Sequence, residues 1–130
     1  MDTRRSWSGS PWEERAGYCR AVRVDDRAWV AGTAPFADDG SVVAPGDMAA
    51  QTRRCLEILT QGLADVGAEP GHVVATRMYV TDITLAGELS EPHREAFGGN
   101  PPAATLVQVA ALVHPDVLIE VEAEAVVRDR

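Results

Sequence analysis

The chain contains no lysine. All 12 basic residues among its 130 are arginines, set against 20 Asp and Glu, and the formal net charge is -8. Without a lysine amine there is no Schiff-base nucleophile and no P-loop lysine. Basic runs are missing as well. An acidic chain is poorly suited to gripping phosphates through counterion release, so nucleic acid is not an expected partner. Cysteine is scarce. Cys19 and Cys55 form no C-x-x-C pair and no disulfide framework, which fits two reduced thiols in a cytoplasmic protein. Cys55 falls on the apolar side of a predicted helix and reads as packing. No uncharged apolar stretch approaches the ~20 residues needed to cross a bilayer, so no membrane is expected. The opening Met-Asp-Thr-Arg-Arg-Ser-Trp-Ser-Gly-Ser lacks the apolar core of a signal peptide. His72, His93 and His114 are scattered without ligand spacing, so neither a metal nor a zinc site is expected. G-x-G-x-x-G, P-loop, H-E-x-x-H and G-x-S-x-G patterns are absent, and no cofactor is implied.

What is present fits one globular domain. Apolar residues make up 45% of the chain, and a chain of this length buries a substantial core. Residues 1–16 read as a polar, irregular segment anchored only by Trp7 and Trp12, and the domain proper as 17–130. Tyr18–Val24 alternates with period two and predicts a strand. Asp25-Asp26 makes a turn, and Arg27–Gly32 returns as the second arm of a hairpin. Residues 33–46 read as a loop with a short extended piece at Ser41–Val43. Asp47 caps a helix to about Val66, whose stripe is Met48, Thr52, Cys55/Leu56, Leu59, Leu63 and Val66, and Gly67 supplies its left-handed stop. Val73–Val80 predicts a third strand. A second helix lies between Leu85 and Phe97, its firmest part starting at Ser90 because Pro92 is tolerated in a first turn. Ala103–Leu112 and Val117–Val127 predict two last strands joined at His114-Pro115-Asp116. The order β-β-α-β-α-β-β, with both helices on one face of a sheet, is an α+β fold.

Chemistry concentrates at the end of the chain. In Leu118-Ile119-Glu120-Val121-Glu122-Ala123-Glu124-Ala125, period two puts three glutamates on one face. One reading is a solvated outer face of a sheet. The other is a cleft wall carrying a general base, where crowding raises a carboxyl pKa. Arg20, Arg23 and Arg77, on strands, are placed to compensate that charge. His93-Arg94 is a second candidate, as a general base or simply as helix surface. Tyr18 and Tyr79 offer hydroxyls to a pocket, or pack as half-buried sheet aromatics.

An ordered set of segments resembles the RidA family, also called YjgF and L-PSP. It comprises Val30-Ala31-Gly32-Thr33-Ala34-Pro35, Gln51-Thr52, Gly67, Val74–Asp82, Glu95-Ala96-Phe97, Pro102-Ala103-Ala104-Thr105 and Leu118–Ala123. The match runs from about Gly17 to Val127. The resemblance implies a chorismate-mutase-like fold and a homotrimer with a barrel-like core and a small-molecule cleft at each subunit interface. It implies, for well-known members, hydrolysis of enamines and imines such as 2-aminoacrylate to ketoacids and ammonia. It matches Tyr18, the backbone around Gly32, the Pro102-Ala103 entry and Glu120; with the residue pattern, the expected catalytic residues are Glu120 and Tyr18, and Ala31, Gly32, Thr33, Tyr79, His93, Ala104, Thr105 and Glu122 are expected around the substrate. In the family an arginine after the Pro-Ala of the penultimate strand grips the substrate carboxylate with its planar fork. Ala104 stands there in this chain, Ala31-Gly32-Thr33 replaces Ser-Gly-Gln, and Leu106 replaces a cysteine. The sequence thus resembles an arginine-lacking branch, with Arg77 or His93 as stand-in cations. It fits either a hydrolase for a substrate other than a simple 2-iminoacid or a non-catalytic ligand-binding trimer.

Overall fold

The computed structural model describes residues 2–128. It is one six-stranded mixed sheet carrying two long helices. The strands are β1 (Thr3–Ser6), β2 (Ala21–Val24), β3 (Arg27–Thr33), β4 (Val73–Val80), β5 (Ala103–Gln108) and β6 (Ile119–Val126). The helices are α1 (Pro11–Ala16), α2 (Met48–Asp65) and α3 (Ala86–Phe97). Across the sheet the strands run β1-β2-β3-β6-β4-β5. All pairs are antiparallel except β4 with β5. The α+β expectation holds.

Period two in β6 divides the sheet into two faces. Ile119, Val121, Ala123 and Ala125 are buried beneath the helices, while Glu120, Glu122 and Glu124 occupy the opposite face, half-buried. The predicted stripe of α2 is buried along its whole length, with Gln51 and Gly62 added to it. Its ends are closed as the sequence suggests. Asp47 Oδ1 accepts from the Ala50 N–H at 3.0 Å. At the far end Ala68 N–H donates to Leu63 O and Gly67 N–H to Ala64 O, with Gly67 at φ +79°. That doubly bonded stop satisfies two orphan carbonyls. Each fully buried leucine of the stripe contributes about 1.5–3 kcal/mol of transfer free energy.

Four expectations are corrected. Residues 1–16 are not irregular: β1 pairs with β2 at the sheet edge, and α1 is capped by Ser10 and stopped by Gly17 at φ +76°. Both elements are too short and too polar to carry a periodic signal, and tertiary contacts hold them. The first long strand starts at Ala21, not Tyr18, because α1 and its Gly17 stop carry the chain in at an angle. Pro92 lies in the interior of α3, and the helix begins at Ala86. A short 3-10 turn at Ile83–Leu85, capped by Asp82 accepting from Thr84 N–H at 3.0 Å, leads into it. Finally, the last two strands are shorter than Ala103–Leu112 and Val117–Val127, and they are not neighbours in the sheet. β5 ends at Gln108 and lies at the sheet edge beside β4, whereas β6 threads between β3 and β4. The buried Gln51 amide pins the connection to α2, donating to Asp116 O and accepting from Leu118 N–H, each at 2.8 Å.

Candidate functional site

The strand β3 breaks its pairing with β6 between Val30 and Thr33. A bulge of this kind re-aims side chains and opens space at a sheet margin. Gly32 sits in it. A Cβ there would stand 3.0 Å from Cδ of Glu120 and 3.2–3.3 Å from its oxygens, so the missing side chain is what lets the carboxylate lie against the β3 backbone.

Beside this contact is a cavity of about 520 Å³, within the size range of metabolite sites. Tyr18, Gly32, Thr33 and Glu120 line it together. Trp12 of α1, Phe36 of the following loop, Ile58 of α2 and Val113 make apolar walls. Arg20 and Arg54 are its two cations. Arg54 donates through Nε to Phe36 O at 2.8 Å and through Nη2 to the fully exposed Asp38 at 3.2 Å.

Arg20 is held in a buried network. It is 5% exposed, and its partner Glu13 is 2% exposed. Nε and Nη2 donate to Glu13 Oε2 at 3.1 and 2.9 Å. Nη1 donates to Gly32 O at 2.7 Å and to Thr33 Oγ1 at 3.1 Å. Thr33 in turn donates to Ala31 O at 2.8 Å. Glu13 also accepts from Ser8 N–H at 2.9 Å and from the Ser8 hydroxyl. Such a pair is tolerated inside a protein because its hydrogen bonds are nearly all satisfied.

Glu120 is pushed above the usual carboxylate range, chiefly by burial; Arg20 pulls it back and Glu122 adds to the rise. Desolvation penalises the charged form, and a neighbouring like charge does the same. Glu124 goes the other way. Arg77 Nη2 donates to its Oε2 at 2.6 Å and holds the carboxyl below its ordinary value. Glu122 accepts from the Tyr79 hydroxyl, which raises the phenol.

The remaining candidates lie elsewhere. Ala31 and Glu122 border a smaller hollow of about 310 Å³ on the glutamate face, with Trp29, Arg77 and Glu124; Arg20 borders both spaces. Tyr79 stands next to it, bound to Glu122. Arg77 is engaged by Glu124 and by Glu122 at 3.9 Å and does not line the larger cavity. His93 is on the helix side of the sheet. Its Nε2 lies 2.9 Å from Thr76 Oγ1, its ring tilts on Phe97 at 4.8 Å, and burial lowers its pKa. Within the chain it is a packing residue, far from a general base. Ala104 and Thr105 are exposed on the edge strand β5, beside Thr76 and Arg77. Arg23 caps the end of α2 through Val66 O and Gly67 O at 3.1 Å and faces none of the glutamates. Cys55 is fully buried, and burial pushes its thiol up.

Sequence reasoning missed Glu13, Trp12 and Arg54 as parts of this site. Trp12 and Glu13 lie in a segment without periodicity. Arg54 lies on the flank of α2, outside the apolar stripe that marks the helix in the sequence. Arg20 carried a usable signal: it follows Tyr18 by two residues and stands immediately before an apolar strand.

Among the described residues no group of three His, Cys, Asp or Glu side chains is placed to hold a metal ion. Among them, no helix is long and apolar enough to cross a membrane.

The chain matches known proteins over nearly its whole length. Residues 10–127 fit the family model described as endoribonuclease L-PSP. An uncharacterised Streptomyces coelicolor protein is 35% identical over 122 residues, covering 94% of this chain and 90% of its own. The protein named 3-aminoacrylate deaminase RutC from Acinetobacter baylyi is 34% identical over 110 residues, covering 85% and 86%. Among solved structures, a Mycobacterium tuberculosis member of the YjgF/YER057c/UK114 family superposes with a TM-score of 0.87 at 41% identity, covering 97% of this chain and all of that one. With fold, extent and ordered motifs in agreement, this chain belongs to the L-PSP family, the RidA/YjgF proteins.

Proposed function

We propose that the cavity is a small-metabolite site in which Glu120 carries a proton, and that the chain hydrolyses an enamine- or imine-type substrate other than a simple 2-iminoacid. The observation that carries this reading is the half-buried Glu120 carboxyl, raised by its surroundings and laid along the wall of the cavity it shares with Tyr18. A carboxyl moved upward is better suited to both giving and taking a proton than one held firmly ionised. In such a reaction an enamine takes a proton at carbon to become an iminium. Water adds to its carbon while Glu120 accepts a water proton. The nitrogen then receives a proton, and ammonia leaves as the carbonyl forms. Tyr18 donates a hydrogen bond to the substrate. A backbone N–H near Ala104-Thr105 holds the developing oxygen.

That last role requires another copy, since β5 does not line the cavity of its own chain. A homotrimer supplies it. The exposed outer edge at β5, with Val107 and Val74 both exposed, supports an assembly that uses this side of the sheet. Light scattering checks this: the expected mass is three times that of the 13.9 kDa chain. Tyr79, Ala31 and Glu122 act as lining or supporting groups in that assembled cleft, inside a cytoplasmic protein.

Ala104 limits the substrate. Its methyl group offers neither charge nor donor, so fast deamination of 2-aminoacrylate is not expected. The test is ammonia release from enzymatically generated 2-aminoacrylate. Little or no acceleration is the expected result; turnover comparable to an arginine-bearing member contradicts it. The same alanine favours a second reading, a trimer that binds a ligand without turning it over. Ligand binding without turnover in the wild type supports the second reading, whereas within the first, hydrolysis that persists undiminished in Glu120→Gln removes Glu120 from the chemistry. Ribonuclease action, which the family model's description suggests, conflicts with the net charge of -8. Tight RNA binding with a steep salt dependence reverses that judgement.

A further inference from the structure

The network around Arg20 ties the first turn of the N-terminal helix to the carboxyl at the cavity wall. Arg20 gives its hydrogen bonds to Glu13, Gly32 and Thr33, and none to Glu120. Yet Gly32, whose carbonyl takes one of those bonds, also supports the Glu120 carboxylate on its Cα side. A cation one residue away from a half-buried carboxyl would ordinarily hold that carboxyl ionised. Arg20 does pull the Glu120 pKa down, but Glu13 stands against the guanidinium in a site that water hardly reaches, where its opposite charge is weakly screened and offsets part of that pull. The other groups facing Glu120 are less able to set its charge. Tyr79 lies opposite it on β4 with its hydroxyl committed to Glu122. Cys55 approaches from α2 as a neutral thiol. Glu122 stands two residues along the same strand, and Arg54 across the cavity is shared with Asp38.

We propose that Glu13 is a positioning residue of the cleft: by neutralising Arg20 it leaves Glu120 able to hold and release a proton, and it fixes the Gly32–Thr33 backbone on which Glu120 rests. The N-terminal segment is thereby a working part of the site as well as one of its walls. The proposal rests on the reading of Glu120 as the cavity's proton carrier, and the two fail separately. Wild-type Glu120 titrating in the ordinary range overturns that reading; a wild-type shift that Glu13 does not control overturns the proposal alone.

The experiment follows the Glu120 carboxyl by carbon-13 NMR in protein labelled at glutamate Cδ, the resonance being assigned by its loss in Glu120→Gln. In Glu13→Gln the Arg20 charge is unopposed, and Glu120 titrates about one unit lower than in wild type. An unchanged or raised titration overturns the proposal. The Ser8→Ala variant keeps both charges and the backbone hydrogen bond to Glu13 while removing the one from the Ser8 hydroxyl. It lowers the melting temperature but leaves the Glu120 titration in place, and an equal shift there shows general loosening and overturns the proposal. Should Glu13→Gln fail to fold, the double variant Glu13→Gln/Arg20→Met buries no charge. In it Glu120 titrates above wild type, because the nearer of the two charges was the cation. A double variant that titrates as wild type is the contrary result.

Discussion

Glu120 and Glu124 share a strand, a face and a residue type, and their surroundings drive them in opposite directions. Glu120 meets a glycine backbone and a cavity wall, with its nearest cation already paired, and its pKa rises. Glu124 meets the guanidinium of Arg77 at 2.6 Å at the open end of the sheet, and its pKa falls. The difference shows that the row of carboxylates in β6 is two things at once. One end lines a cavity; the other is an ion-paired surface. A bulge at Gly32 and a buried pair from the N-terminal segment make the distinction, and neither belongs to β6.

The largest effect expected from breaking this contrast is chemical. Glu120→Gln removes the proton carrier and lowers hydrolysis of a cleft substrate by about 10²–10⁴-fold, while Glu124→Gln leaves it essentially unchanged; initial rates of the two variants on one imine decide the matter. Next is Gly32→Ala. The added methyl group would stand 3.0 Å from Glu120 Cδ. The carboxylate is the end of a flexible side chain, so it swings aside at little cost in stability. Turnover falls by about 10²-fold, as expected for a group displaced by an ångström, and the melting temperature changes little.

Smaller effects come from the other end of the strand. Arg77→Gln frees Glu124, whose titration returns toward the ordinary value, while Glu120 barely moves. The Arg77 side chain is 43% exposed, so loss of its pair with Glu124 moves a urea melt only slightly. The subtlest effect is a difference in the sign of pH dependence. Glu120 binds its proton more tightly folded than unfolded. Its protonated form therefore stabilises the fold relative to its ionised form, and this contribution fades as pH rises through the folded-state pKa. Glu124 binds its proton less tightly when folded. Its contribution is present above the unfolded-state pKa and is lost as pH falls through the folded one. Urea midpoints across the acid range should then show Glu120→Gln gaining on wild type as pH rises to neutral, and Glu124→Gln losing ground.

Much of the fold was legible because period and punctuation agreed. The α2 stripe, the Asp47 cap, the Gly67 stop and the two faces of β6 are all local patterns. The path of the chain after Gln108 was not legible. Two strands separated by a short segment resemble a hairpin until one knows that Gln51, on a helix more than fifty residues earlier, pins the connection. Pro92 misled for a related reason: the lost backbone bond is offset by burying the ring against the core, which propensity does not record. In the site, Glu120, Tyr18, Gly32 and Thr33 were accessible through pattern and family resemblance. Glu13, Trp12 and Arg54 were not, since their placement depends on a six-residue helix and on the polar flank of α2. The partition of three similar glutamates into two environments had no trace in a sequence of alternating residues.

The measurement that tests this account most directly is a carboxyl titration of Glu120 and Glu124 in one sample of the wild-type protein. The account predicts two separated curves, Glu120 above the ordinary glutamate value and Glu124 below it. Coincident curves, or Glu124 titrating above Glu120, would contradict it.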